Sequence, residues 1–326
     1  MLITPTNLNY FFTNLESRFW QAYGTAPVVY DQLCTTYPVS TEQWADAWIG
    51  MLDKFREWQG PRVVHQPAPQ TYFVPIQNFE LTEGIDQFKL QDDTYGIYFP
   101  TVQFMGEEAK KWPDYQLRDL LNNTGVQTGT RQNSTDGLTH WNTAHQIDFW
   151  DSSKGTYCND FTGGGFTVNG ILVGGALAPN AFATLWEEIA SRKSESNESL
   201  GLMANLSVFP AQLKITADTI LNAQFFSPAS LGNLTGQVGA MENQLKGWTD
   251  RLCWPDLSAY PTVWYMLVTN KAIKPFSWLL RDAPDFVYRN TPQDPVVFDT
   301  HTYLYGSKAR GAPAWGLPWL SARSGS

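Results

Sequence analysis

Residues 56–86 read REWQGPRVVHQPAPQTYFVPIQNFELTEGID. The stretch alternates like sheet for most of its length, yet its first half is broken by a Pro-Ala-Pro tip and has almost no apolar face. Arg62–His65 and Thr71–Ile76 read as two strands joined across QPAPQ, with Pro67 and Pro69 at an exposed tip because proline cannot donate to a ladder. Two arms of about eight residues, at about 3.3 Å each, reach roughly 25 Å from a body. A lone two-stranded hairpin is only marginally stable in water. The ribbon therefore needs a partner surface, and a second copy of the same chain is the economical one.

After the ribbon, NFELTEGIDQFKL alternates Phe79, Leu81, Glu83 and Ile85 as a strand of the body. Asp92, Asp93 and Thr94 are capping residues for a helix. Val102, Met105, Ala109 and Trp112 then recur at helical spacing as one apolar stripe. Pro113 kinks the run, and Tyr115, Leu117, Leu120 and Leu121 resume it, so Thr94–Asn122 is expected as one long, bent helix against a sheet. Before the ribbon, Leu8, Phe11, Phe12, Leu15, Phe19 and Trp20 mark an amphipathic helix with Thr6 as its N-cap. The next segment, TAPVVYDQLCTTYPVSTEQWADAWIG (residues 25–50), is extended and polar with scattered aromatics, and reads as an arm lying on another surface.

Downstream, residues 123–175 are rich in Gly, Thr, Asn and Ser and lead into a second domain. Pro179–Glu195 is a helix with Phe182, Leu185, Trp186 and Ile189 on its apolar face. QLKIT is expected as a strand and ADTILNAQFF as a helix, followed by strands at DRLCW, VWYMLV and FSWLLR. Pro295–Arg310 alternates and is expected as a long strand. The class is α+β with two interleaved domains.

Composition limits the function. With 326 residues and 43% apolar content the chain has ample material for real cores, and 22 basic against 31 acidic residues, net −9, argue against a surface that grips nucleic-acid phosphates. Cys34, Cys158 and Cys253 are odd in number and far apart, without a C-x-x-C pair, and read as buried thiols. The start MLITPTNLNYFF lacks the basic and apolar blocks of a signal peptide, and there is no run of 18 apolar residues, so a cytoplasmic protein is expected. On that expectation the N-x-Ser/Thr triplets at Asn122, Asn133, Asn197, Asn205 and Asn233 are chance matches.

Signals for chemistry are weak. Gly163, Gly164 and Gly165 lack the Gly-Lys-Ser/Thr of a phosphate loop. His140 and His145 carry no metal-ligand pattern around them. The adjacent carboxylates Asp92/Asp93 and Glu107/Glu108 do not face each other on a helix, and no nucleophile elbow appears. No catalytic, cofactor-binding or metal-ligating residue is expected, and no enzyme activity.

Several separated blocks resemble the Mu-like phage major head subunit family in order and spacing: LITPTNLNYFF, REWQGPRV, FELTEGID, DDTYGIYFPTVQFMGEEAKKWPD, KITADTILNAQFF, WYMLVTNKAIKPF and VVFDTHTYLYGSKARGAPAWGLPWL. The resemblance implies the Hong Kong 97-type capsid fold, with an N-terminal arm (1–58), an extended loop (59–78), a peripheral domain carrying the long spine helix (79–124 and 295–310) and an axial domain (125–294 and 311–326). It implies a major capsid protein that self-assembles into hexamers and pentamers of an icosahedral shell around double-stranded DNA, in the virion. Scaffold, portal and decoration proteins are the further partners implied, with no membrane and no cofactor. An encapsulin-type shell is the alternative. The inter-subunit residues expected on arm and loop are Phe11, Phe12, Trp20, Trp58, Arg62, Val64, Pro67, Pro69, Tyr72 and Val74.

Overall fold

The computed structural model describes residues 4–47, 71–93, 96–122, 137–148, 151–163, 166–168, 171–226 and 241–325. Helix α1 spans Pro5–Thr25. Thr4 rather than Thr6 caps it: Pro5 occupies the first turn, where its missing N–H costs nothing, and the Asn7 N–H donates to Thr4 Oγ1 at 3.2 Å. Leu8, Phe11, Phe12, Leu15 and Phe19 form its buried stripe.

The extended arm expected over residues 25–50 is instead largely part of the body. Leu33, Cys34 and Val39 are buried. Strand β1 (Cys34–Pro38) runs parallel to a strand formed about 240 residues later, with Cys34 opposite Phe276 and Pro38 opposite Leu280. A second short strand, β2 (Gln43–Ala47), pairs antiparallel with β3 (Thr71–Pro75), Gln43 opposite Pro75 and Ala47 opposite Thr71. Among the described residues the partner of Thr71–Pro75 is β2. Arg62–His65, the expected partner, lies outside the described residues.

The first sheet has the order β1-β9-β10-β4, where β4 is Gln77–Asp86, β9 is Phe276–Arg289 and β10 is Thr302–Trp315. Residues 276–289, expected in the second domain, are the second strand of this sheet, because β9 pairs with β10 from Phe276↔Trp315 to Arg289↔Leu304. The long strand expected from Pro295 begins only at Thr302. Pro295–Thr300 is a helical turn capped by Asp294, whose Oδ1 accepts from the Val296 N–H at 3.0 Å, and His301 ends it in the left-handed region at φ 50°. Gln87–Asp92, whose first four residues belong to the stretch expected as strand, is likewise a short helix capped by Asp86.

Helix α2 (Tyr98–Leu121) crosses this sheet with Pro113 inside it. It starts later than expected. Asp93 accepts from the Gly96 N–H at 2.9 Å in the turn before it, and Thr94 is outside the described residues. The Trp112 ring joins helix to sheet, its centroid 5.0 Å from that of Phe79 and 4.9 Å from that of Trp278.

The second sheet has the order β7-β6-β8-β11-β5, with β5 Asp160–Thr162, β6 Leu206–Phe209, β7 Asp250–Cys253, β8 Trp264–Leu267 and β11 Ser321–Gly325. Helix α3 (Pro179–Ser191) covers it with Phe182, Leu185 and Ile189. QLKIT is not a strand: Ala211–Leu213 is a tight turn that runs into helix α4 (Lys214–Asn222), which buries Ala217, Ile220 and Leu221. Strand β11 lies between β8 and β5, so the last strand of the chain is interior to its sheet. Of the three thiols, Cys34 is buried and Cys158 and Cys253 are only half-buried, because the latter two sit on or beside short strands near sheet margins.

His140 and His145 are core groups. The His140 ring stacks on Trp315 with centroids 4.2 Å apart, and its Nε2 lies 3.1 Å from Ser321 Oγ; His145 Nε2 lies 2.9 Å from the His140 carbonyl oxygen. Burial, aided by His145 and Arg323, holds the His140 pKa well below 6.5. The unfolded chain then binds a proton that the fold excludes. The contribution of His140 to stability is accordingly full above about pH 6.5 and is lost as pH falls below it. We expect the thermal midpoint to drop between about pH 7 and about pH 5, and His140→Phe, which keeps the stack on Trp315, to flatten that slope. An unchanged slope in His140→Phe would count against this assignment.

Candidate functional site

The β2–β3 ribbon is anchored at its base. Val74 is fully buried among Val39, Leu279, Ala312 and Ala314, with Tyr37, Trp44 and Ile76 packed against them. Alternation puts Phe73 on the other side, 56% exposed. Trp44 stacks on Tyr37 with centroids 5.6 Å apart, and the Ile76 N–H donates to the Glu42 carbonyl at 2.9 Å. The sequence thus fixes the base of a ribbon onto the first sheet. The connecting residues 48–70 lie outside the described residues.

Two further features hold α1 and the segment after it against α2. Asp114 follows Pro113 inside α2 and is only 5% exposed. Its carboxylate accepts from the Val29 N–H at 3.1 and 3.0 Å and from the Tyr30 N–H at 2.7 Å, clipping the segment after α1 to the long helix. Burial pushes this carboxyl up, against the pull of those two N–H groups. In addition, α1 and α2 approach so closely at Gly106 that a Cβ there would meet the Phe19 carbonyl oxygen.

The outer strand β4 faces solvent along most of its length, and Leu81 is 40% exposed. Between it and α2 runs an apolar cleft of about 150 Å³ lined by Phe79, Leu81, Ala109, Trp112, Tyr115 and Pro284. A separate, polar hollow of about 710 Å³ carries Arg251 and Lys274. Its cations are engaged, Arg251 with Asp218 and Lys274 with the Asp31 carbonyl. Among the described residues there is no cluster of His, Cys, Asp or Glu fit to hold a metal, and no helix long and apolar enough to cross a membrane.

The residues expected at subunit contacts are not all outward. Phe11 and Phe12 are buried in the chain's own core with Tyr98, Phe99, Tyr288 and Tyr303 around them. Val74 is buried in its own chain in the same way. An amphipathic stripe marks burial without telling which body it is buried in, and here the covering surface is α2 and the first sheet. Trp20 is 41% exposed. Tyr72 lies in β3. Trp58, Arg62, Val64, Pro67 and Pro69 lie outside the described residues. Sequence reasoning misses Asp114, whose signal is a carboxylate inside an apolar helical stripe directly after proline, and Phe73, whose signal is its alternation with Val74.

The family model of the Mu-like prophage major head subunit gpT matches residues 8–172 and 256–325. Over 147 residues the chain is 29% identical to the major capsid protein of Escherichia phage Mu, covering 45% of this chain and 47% of that one. It is 24% identical over 147 residues to the Mu-like prophage FluMu major head subunit of Haemophilus influenzae, covering 44% and 46%. The chain spans about half the length of these curated relatives. Among solved structures, it is similar to a chain of the procapsid of bacteriophage JBD30, with TM-score 0.57 and 22% identity over 99% of this chain and 76% of that one. It is also similar to a chain of the capsid of Cyanophage P-SCSP1u, with TM-score 0.52 and 8% identity over 92% and 88%. A chain of the capsid of an empty GTA particle gives TM-score 0.51 and 10% identity over 91% and 88%. At these identities the likeness concerns the fold, which is the Hong Kong 97-type capsid fold in its α+β form.

Proposed function

Because the chain belongs to the Mu-like prophage major head subunit gpT family, we propose that it is the major capsid protein of a Mu-like phage or prophage, the building unit of an icosahedral head. In this reading it is a structural protein. Copies associate as hexamers and pentamers, the shell encloses double-stranded DNA without sequence-specific contact, and scaffold, portal and decoration proteins join it. Its place is the virion, with assembly in the host cytoplasm. The family match favours this over an encapsulin-type shell.

The observation that carries the reading is the ribbon base: β2 and β3 leave the first sheet as a pair whose root is packed and whose Phe73 is not. Residues 48–70, laid out as two extended arms of about eleven residues, are long enough to span roughly 35 Å. That is enough to cross a neighbouring copy. The extended loop is then 43–75, longer than 59–78. The peripheral domain gains 276–289 and the β1 strand, and the axial domain is the second sheet with α3 and α4. A contact that removes about 800 Å² from each partner gains on the order of 10 kcal/mol from its apolar part, much of it cancelled by lost freedom and ordering. Single contacts are therefore reversible, and only the closed shell is stable.

The test is deletion of Gln66–Gln70 with a two-glycine bridge, followed by electron microscopy of the purified protein. We expect a folded, soluble subunit with the parent's thermal midpoint and no shells. Parent-like particles from the deletion would remove the reading.

A further inference from the structure

Two crossings between the sheets run side by side: residues 268–275 lead from β8 to β9, and residues 316–320 lead from β10 to β11. The Val268 N–H donates to the Leu320 carbonyl at 2.8 Å, and the Gly316 N–H donates to the Pro275 carbonyl at 3.0 Å. His140 braces both ends of the second crossing, its ring stacked on Trp315, where β10 ends, and its Nε2 beside Ser321 Oγ, where β11 begins. The same ring has its centroid 5.8 Å from that of Phe276, the first residue of β9. Trp141 continues the brace onto Phe276, Trp315 and Tyr265 of β8. Two adjacent residues thus touch all four strands that the crossings join.

The brace has no place for a second proton. Ser321 Oγ donates to the Pro318 carbonyl at 3.2 Å, so it accepts from His140 Nε2–H, and Nδ1 keeps the lone pair. His140 is 1% exposed, and among the described residues its Nδ1 has no hydrogen-bond partner. A proton there is a buried donor with nothing to accept it. The charged and titratable groups around the ring oppose it as well. Arg323 acts from β11, and His145 acts from beside the His140 carbonyl, 2.9 Å from its Nε2. Asp160 of β5 is held by Arg323 at 2.7 Å. From β8, β9 and β10 the segment meets Tyr265, whose phenol burial keeps neutral, Phe276 and Trp315.

We propose that His140 is a proton-operated latch on the two crossings: a proton at Nδ1 drives the ring out from between Trp315 and Ser321, and the crossings open while both sheets stay folded. The open form binds a proton that the closed form excludes, so opening becomes easier as pH falls through the ordinary imidazole range near about 6.5. The effect is local because the flanking ladders do not include His140: β9 pairs with β10 from Phe276↔Trp315 to Arg289↔Leu304, and β8 pairs with β11 from Trp264↔Ser324 to Leu267↔Ser321. The latch belongs to the single chain and does not depend on the capsid-subunit reading.

Hydrogen exchange on the full chain, corrected for the intrinsic pH dependence of exchange, tests the latch, with the Val268 and Gly316 N–H groups as reporters. Their opening constants are expected to rise roughly 25-fold from about pH 7 to about pH 5, the factor for uptake of one proton by an imidazole of ordinary pKa. At the lower pH both are expected to exchange faster than the β9–β10 ladder and with little dependence on added denaturant, the mark of a local opening. His140→Phe, which keeps the stack and cannot take the proton, is expected to abolish the rise at both reporters. Should His140→Phe fail to fold, His140→Gln, which keeps a donor for Ser321 Oγ, is measured in its place. A rise that persists in the folded variant would overturn the latch. So would reporters that, in the parent at about pH 5, match the ladder in both rate and denaturant dependence, since the proton would then act only through global unfolding.

Discussion

Gly106→Ala will destabilise this chain by about 2 kcal/mol, although alanine is the better helix former. Position 106 is inside α2, where exchanging glycine for alanine at an open site gains up to about 1 kcal/mol from backbone entropy. The site is closed. A Cβ there would overlap the Phe19 carbonyl oxygen and sit 3.2 Å from Ala22 Cβ, and the first is rigid helix backbone that cannot swing aside. The helices must separate, and α1 is held by its apolar stripe, with the Phe19 ring 5.1 Å from that of Phe286. Overpacking of this kind costs about 1–3 kcal/mol, which outweighs the propensity gain, and Gly106→Val, bulkier and β-branched, should cost about 4 kcal/mol. Gly24 supplies the control. It lies in the last turn of α1 with nothing within 4 Å of its ideal Cβ, so Gly24→Ala should stabilise by about 0.5 kcal/mol. Chemical denaturation of the three variants decides the matter: if Gly106→Ala matched Gly24→Ala in sign, helix contact at Gly106 would not be what fixes α1 to the body.

The contrast between those two glycines is invisible in sequence, and it illustrates where sequence stops. Periodicity locates α1, the body of α2 and α3, because an apolar stripe at a spacing of about 3.6 needs only local information. It locates β7, β8 and the start of β9 and misses β6, and the order and the partner of each require the tertiary fold. QWADA, the described partner of Thr71–Pro75, is missed as a strand because it is short and poor in β-branched residues. Pro295–Thr300 is misread for the converse reason: Val296, Val297 and Phe298 favour strand, while the decisive signal is Asp294 ahead of a proline at the first helical position. Phe11 and Phe12 are legible as buried and illegible as to what buries them. Nothing in SRKSE sets Arg192 apart from its neighbours, and only the return of the chain far downstream brings its partners to it.

Those partners make Arg192 the second position at which a single change should have a large effect. Its side chain is buried, and Nη1 donates to the carbonyl oxygens of Trp319 at 2.7 Å and Ser321 at 3.1 Å, while Nη2 donates to that of Cys158 at 2.9 Å. Its guanidinium lies 5.2 Å from the Tyr157 ring centroid. One planar fork thus ties the segment entering β11 to the residues before β5 from the end of α3. Burial lowers the Arg192 pKa and raises that of nearby Glu188, while each charge favours the other's ionised form. Arg192→Met keeps the volume but leaves three carbonyls without this donor, at about 1–3 kcal/mol for each buried group that stays unpaired. Part of that is returned because a charge no longer has to be held out of water, so the net loss should be about 3–4 kcal/mol. Arg192→Lys retains the charge but offers one nitrogen in place of a fork, and should fall between the parent and Arg192→Met. The effect has a place as well as a size: β11 is also pinned farther along by the Arg323–Asp160 pair at 2.7 Å, so Arg192→Met should loosen Pro318–Ser321 first. Hydrogen exchange is the measurement. Protection should drop at Leu320 and Val268, whose N–H group donates to the Leu320 carbonyl, before it drops in β9 or β10, and uniform loss across both sheets would show that Arg192 stabilises the chain as a whole rather than holding its last strand in the second sheet.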